Sequence, residues 1–181
     1  MKESKEKIKF TKLQKIVVSI ALLGIIGFVV YSLYDENQPI IKKDGTITEK
    51  ATEDGGKIIE VVEEMKKPVE EEFPLTMEDS QIADAIHAMS HQKIEADEKW
   101  RLLPLTIERV TRLIVVIETN QNEYKNSELY LNILNRWAEN DFSQVDLDHN
   151  AVWSLQGGTI GKATGILSYE EELEYIAKYY E

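Results

Sequence analysis

The three histidines are the side chains of this chain best suited to chemistry, because imidazole binds transition metals and exchanges protons near neutral pH. His87 and His91 are four residues apart in a segment with helical periodicity, so their rings share one helix face. His149 comes from a later segment. Two histidines at this spacing and a third from elsewhere form a set that zinc accepts, with Glu95 one turn further on.

The alternative interpretation of these residues is a polar helix face beside the core, with His87 or His91 hydrogen-bonded. The metalloprotease pattern H-E-x-x-H is not present, since Ala88 stands where that pattern has its general base. The sequence therefore excludes a zincin active site, assigns no catalytic residue, commits to no metal and indicates no cofactor.

A second unusual feature is the loop 157–165, which holds four glycines in nine residues. This density predicts unusual backbone angles or close approach to another surface. A turn packed on Trp153 is one interpretation. The other is a loop that shapes a ligand or peptide cleft, with Lys162 as its anion partner.

Two motif-like stretches are incomplete. A phosphate-binding loop needs Gly where Gln156 stands and Ser or Thr where Ala163 stands. The run 146–150 supplies the first oxygen ligands of a calcium loop, but Ala151 and Gly157 occupy the positions of its essential Gly and Glu. The first stretch is therefore no nucleotide site, and the second is at most a weak, irregular calcium site.

These features together define a candidate binding surface on the C-terminal half of the chain. It joins His87, His91, Gln92, His149, Asn150, Gln156, Gly157, Gly158 and Lys162.

Helices are predicted to position these groups, because apolar residues recur every three or four positions from residue 76 onward and strand alternation is scarce. Helices are predicted to start near Thr76, Thr106, Ser127, Ser143 and Ser168, and the phrases that begin at Thr76 and Ser143 carry capping signals. Five short helices with short connections predict an all-α, bundle-like domain over 76–181. Lys93 continues the apolar stripe of the first helix and is expected to reach solvent with its ammonium group.

The N-terminus carries the strongest localisation signal. Residues 1–15 hold six lysines, and the run 16–34 is almost entirely apolar. At ~1.5 Å per residue, this run spans roughly the ~30 Å hydrocarbon core of a bilayer, and no small-residue cleavage site follows it. The sequence predicts a single transmembrane helix with a basic cytoplasmic tail and an extracytoplasmic C-terminal domain.

The segment 35–75 is acidic and poor in aromatic residues, which predicts a flexible linker or stalk. Within it, 57–67 is compatible with a short helix, a strand or a docking segment.

The net charge of −12 makes the chain a poor partner for nucleic acid. The expected partners are the cytoplasmic membrane, through residues 16–34, and a protein or cell-wall component.

Several phrases carry a resemblance to a known family: His87–Lys93, Asn140–Ser143, Asp148–Trp153 and Leu155–Ala163. Over about residues 77–178 the chain resembles an uncharacterised family of small, membrane-anchored or exported proteins of Bacillus-type bacteria. The resemblance implies the localisation and the source class, and it implies no activity.

Two functions follow as hypotheses. The first is a non-enzymatic, membrane-anchored module that contacts a protein or an envelope component. The second is a metal-binding protein or hydrolase that uses His87, His91 and His149. Convergence of the three rings within ligand reach favours the second hypothesis, and their dispersal favours the first.

Overall fold

The computed structural model describes residues 41–42, 45–51, 57–62 and 67–180. The predicted cytoplasmic tail 1–15 and the predicted anchor 16–34 lie outside these residues. Within the described part of the chain, no helix is long and apolar enough to cross a membrane.

Helices make up about half of the described residues, and the last five of them match the five predicted helices. They are α1 Val69–Glu72, α2 Asp79–Ser90, α3 Ile107–Thr119, α4 Ser127–Ala138, α5 Val145–Leu155 and α6 Tyr169–Tyr179. Thr106 caps α3 by accepting a hydrogen bond from the backbone N–H of Arg109 at 3.2 Å. Ser168 and Glu171 form a capping box at α6.

Small antiparallel sheets accompany the helices, so the expectation of an all-α fold is incomplete. β1 Ile41–Lys42, β2 Gly45–Ala51 and β3 Lys57–Val62 form one sheet in the order β1-β2-β3. β4 Ile94–Glu95 pairs with β5 Gly165–Ile166. This second pairing matters for function, because it joins the segment after α2 to the glycine-containing loop after α5.

The β2–β3 hairpin lies in the segment predicted as a flexible linker, and that prediction needs correction there. Ile47, Ile59 and Val61 point to one face of the hairpin and are buried against Ile176 of α6. A pleated strand places alternate residues on one face, so three apolar side chains are enough to form this small second core. The 57–67 segment thus contains a strand, one of the three forms expected for it.

The main core also begins earlier than residue 76. Val69 and Phe73 are buried in it, and Glu72 forms an ion pair with the guanidinium of Arg109, with Nε and Oε2 2.9 Å apart. The folded part of the chain therefore includes residues that composition alone placed in the linker.

Most of the apolar residues that recur every three or four positions along the predicted helices form the main core. The fully enclosed ones include Ile82, Ile86, Met89, Val110, Leu113, Ile117, Tyr130, Ile133, Leu134, Trp137, Val145 and Val152. Leu155 differs, with 47% of its surface exposed at the end of α5. The inward face of α5 instead uses Asp148 and His149, two polar residues that hydrophobic periodicity does not select.

Lys93 does not reach solvent as expected, and its ammonium group is buried in an ion pair with Glu172 of α6. The Nζ–Oε1 distance is 2.6 Å, and Nζ also donates to the carbonyl of Ile59 in β3 at 3.3 Å. The ring of Phe142 lies 4.5 Å from the same nitrogen. Burial lowers the pKa of Lys93, and the carboxylate of Glu172 opposes this shift. One cation thus joins the hairpin, α6 and the end of α2.

Replacing Lys93 by Ala should destabilise the fold strongly, because Glu172 then stays buried without its partner. We expect a loss of about 3–5 kcal/mol in the free energy of unfolding, measured by urea denaturation. The matched control is Lys50→Ala, which removes the partly exposed Lys50–Glu60 pair and should cost less than about 1 kcal/mol. Similar losses in both variants would contradict a central role for Lys93.

Candidate metal centre

The packing of α5 against α2 brings all three histidines together. The ring centroids of His87 and His149 are 4.5 Å apart, those of His87 and His91 4.8 Å, and those of His91 and His149 5.3 Å. One ring nitrogen from each residue lies within 4.8 Å of a ring nitrogen of the other two. The predicted trio therefore converges in space, and we call it the histidine cluster.

Oxygen acceptors orient the two rings on α2. Nδ1 of His91 lies 2.7 Å from the backbone carbonyl of Arg101, which can only accept, so Nδ1 carries the hydrogen. Nδ1 of His87 contacts the amide oxygen of Gln156, whose amide nitrogen donates to Asp84 at 2.8 Å. In both neutral rings the lone pair is therefore on Nε2. This is how metal-ligating histidines are usually held.

His149 is fully buried and has partners on both nitrogens. Nε2 lies 3.0 Å from the carbonyl of Gly161, and Nδ1 lies 2.9 Å from the hydroxyl of Ser90. Because the carbonyl only accepts, a neutral His149 carries its hydrogen on Nε2 and its lone pair on Nδ1. The Ser90 hydroxyl also lies 2.6 Å from the carbonyl of His87. The Ser90 oxygen therefore occupies the lone-pair side of Nδ1, so a metal reaches this nitrogen only after the Ser90 side chain rotates away.

Burial keeps the three imidazoles neutral. It lowers the pKa of His91 to about 4 and that of His149 to about 4, and it lowers the pKa of His87 as well. Repulsion between neighbouring rings works in the same direction for His91 and His149. A neutral ring is the form that binds a metal ion, since the lone pair is then free of a proton.

A cavity of about 330 Å³ opens beside the cluster. His87 and His91 line it, and its walls include Asp84, Glu98, Trp100, Arg101, Trp153 and Gln156. Asp84 pairs with the guanidinium of Arg101. The cavity therefore adjoins two of the three candidate ligands, while His149 lies behind them.

The glycine loop supplies one wall, and the expectation of a turn packed on Trp153 is confirmed. A Cβ on Gly158 would lie 2.2 Å from the Trp153 ring, and one on Gly161 would lie 2.6 Å from the carbonyl oxygen of Glu98. Gly157 has a φ of +70° and ends α5. Glycine is needed where other surfaces approach this closely.

Not every residue of the predicted surface belongs to this site. Gln92 is buried and binds Glu172 and the backbone N–H of Leu105. Asn150 binds both backbone groups of Ala163, which holds the loop in place. Lys162 is exposed and does not line the cavity.

Two of the three side chains of the calcium-like run, Asp148 and Asn150, are engaged elsewhere. The carboxylate of Asp148 binds Arg136 and accepts a hydrogen bond from Trp137 Nε1 at 3.0 Å, while Asn150 binds the loop. This geometry gives no support to a calcium site.

Several residues of the site do not belong to the predicted surface, among them Asp84, Ser90, Glu98, Trp100 and Arg101. Asp84 precedes His87 by three residues, so its place on the same helix face was a usable signal. Arg101 lies outside any helix and carried no such signal.

A model described as a family of unknown function (DUF6241) matches residues 86–177, about half of the chain. The chain belongs to this family. The DUF6241 match agrees with the resemblance to an uncharacterised family, and its range contains all three histidines. No curated protein and no solved structure matches the chain.

Acid should destabilise the fold through His91 and His149. In the folded protein the pKa of each ring is about 4, below the usual value of 6.5. Between pH 4 and pH 6.5 the unfolded chain therefore binds more protons than the folded chain. The free energy of unfolding should therefore fall as the pH drops from 6.5 toward 4, by at most about 1.4 kcal/mol per pH unit for each of the two rings. Urea denaturation at pH 7, 6 and 5 measures this trend.

NMR titration of the imidazole nitrogens provides a direct test of the same lowered pKa values. Both rings should stay neutral at pH 5.5. A midpoint near 6.5 for His91 and His149, together with flat stability from pH 7 to 5, would contradict the prediction.

Proposed function

We propose that this protein is a membrane-anchored metal-binding protein, and that His87, His91 and His149 hold a zinc ion. The observation that carries the proposal is the convergence of three neutral rings whose N–H groups have oxygen acceptors. The alternative interpretation, a polar helix face beside the core, does not require a third histidine ring from another helix. The interaction-module hypothesis expected dispersed histidines, so the geometry favours metal binding.

Zinc is the metal that this ligand set suits best, because imidazole is one of its common ligands and three histidines leave a fourth position for water or substrate. With Zn–N bonds of about 2.0–2.1 Å, the nitrogens of a tetrahedral site are roughly 3.3 Å apart. The cluster, with nitrogens within 4.8 Å, must therefore contract on binding. His87 is the least buried of the three rings, so it is the one best placed to move.

The groups that hydrogen-bond to the rings supply the orientation that such a site needs. The Arg101 carbonyl holds His91, and Gln156 holds His87 while Asp84 fixes the amide of Gln156. The ion pair between Asp84 and Arg101 then connects the supports of both rings. Partners of this kind, one step removed from the metal, commonly contribute tenfold to hundredfold in metal affinity.

The anchored topology is part of the same proposal. The lysine-rich segment 1–15, followed by the apolar run 16–34, supports a cytoplasmic N-terminus and a metal-binding domain outside the cytoplasm. The resemblance to anchored or exported proteins of Bacillus-type bacteria points the same way.

Zinc titration of the full-length, detergent-solubilised protein tests the metal site. We expect one Zn²⁺ per chain by isothermal titration calorimetry, loss of binding in His91→Ala, and affinity weakened roughly tenfold to hundredfold in Gln156→Ala, which removes only the support of His87. Lys162→Ala is the control and should bind zinc like the parent. Circular dichroism verifies that each variant is folded. Absence of zinc binding by the folded parent protein would refute the function.

Cysteine labelling tests the topology, because the natural chain has no cysteine. A membrane-impermeant maleimide applied to intact cells should label Glu118→Cys, an exposed position on α3, and should label Ser4→Cys only after lysis. The reverse labelling pattern would contradict the proposal, because it would place the C-terminal domain in the cytoplasm.

A further inference from the structure

The arrangement of the histidine cluster leaves one side of the proposed metal site open. His149 is completely enclosed by protein, while His87 and His91 form part of the cavity wall. A metal ion held by the three rings therefore has protein behind it and the cavity in front of it. Open sites of this type exchange their fourth ligand, whereas structural zinc sites are closed by four protein ligands.

We propose that the cavity binds a small monocarboxylate with an apolar body, and that its carboxylate takes the open position of the metal. This inference rests on the proposed zinc site and adds the chemical class of its ligand. Three features of the cavity carry it: its charge, its aromatic walls and its size.

The charge of the cavity changes sign when the metal binds. Asp84 and Arg101 neutralise each other, and Glu98 leaves one negative charge on the walls. A bound Zn²⁺ with neutral histidines converts this to a net positive charge. Lys99 lies nearby, where its ammonium group donates to the carbonyl of His91 at 2.9 Å, but the neighbouring Glu95 carboxylate offsets its charge. The loaded site therefore attracts a monoanion more strongly than the empty site does.

The walls provide an apolar surface for the body of the ligand. Trp100 is 73% exposed at the cavity, and Ile160 is 55% exposed there. The indole N–H of Trp153 is held by the carbonyl of Ile160 at 2.7 Å, so this second ring is fixed in place. An exposed tryptophan beside a cleft is a ready surface for an apolar or aromatic group.

The size of the cavity limits the ligand to a small molecule. A volume of about 330 Å³ is at the lower end of the range for ligand pockets, which run from roughly 300 to 1,000 Å³. An aromatic acid fits within this limit, whereas a folded protein domain does not.

The test uses the full-length protein loaded with Co²⁺, whose visible spectrum reports a change of ligand at the metal. Phenylacetate supplies both the carboxylate and the apolar body, acetate supplies the carboxylate alone, and 2-phenylethanol supplies the body alone. We expect phenylacetate to change the spectrum at roughly tenfold lower concentration than acetate, and 2-phenylethanol to leave it unchanged. Calorimetry should detect no phenylacetate binding to metal-free protein.

The role of the wall is tested with Trp100→Ala. This variant should bind phenylacetate roughly threefold to tenfold more weakly while acetate and metal binding stay unchanged. Tyr179→Ala, which removes an exposed aromatic ring outside the cavity, is the matched control and should behave like the parent protein.

The outcomes separate this inference from the proposed function. If the protein binds Co²⁺ but neither phenylacetate nor acetate changes its spectrum, the inference that the metal has an open coordination position is wrong. The proposed metal site itself is not contradicted by that result. Equal affinity for phenylacetate and acetate would contradict the inference that the ligand has an apolar body bound by the cavity walls. Failure of the parent protein to bind Co²⁺ or Zn²⁺ would refute both proposals.

Discussion

The buried ion pair between Lys93 and Glu172 is the constraint on which the rest of the fold depends. An ammonium group removed from water needs a full set of partners, because its desolvation costs several kcal/mol. Here the partners are the Glu172 carboxylate, the carbonyl of Ile59 and the ring of Phe142. They come from α6, the hairpin and the segment before α5, so satisfying one charge requires three distant parts of the chain to meet.

The same region of the chain positions the histidine cluster. Lys93 directly precedes β4, which pairs with β5 and thereby brings the end of the glycine loop beside α2. The loop then supplies Gly161, whose carbonyl binds His149, and its start supplies Gly158 against Trp153. The structural ion pair and the proposed metal site therefore share one stretch of backbone. Stability of the fold and orientation of the rings both depend on it.

The local features of the chain were predictable because they depend on nearby residues. Thr106 and Ser168 mark helix starts through their own hydroxyl groups. Asn140, one of the residue types that tolerate a left-handed conformation, adopts it after α4 with a φ of +61°. The β2–β3 hairpin was not predictable in this way. Ile47 and Val61 are buried only because Ile176 lies against them, more than a hundred residues later in the sequence. Composition therefore indicated a solvated linker.

For the site, sequence alone was enough to place His87 and His91 on one helix face, because a four-residue spacing has this consequence in any α-helix. It could name His149 as a third candidate without locating it. Only the packing of α5 on α2 brought that ring within ligand reach, and only the tertiary fold assigned Gln92 to the core and Arg101 to the cavity. Helix periodicity is a short-range property of the backbone, whereas convergence of distant side chains depends on how whole elements pack.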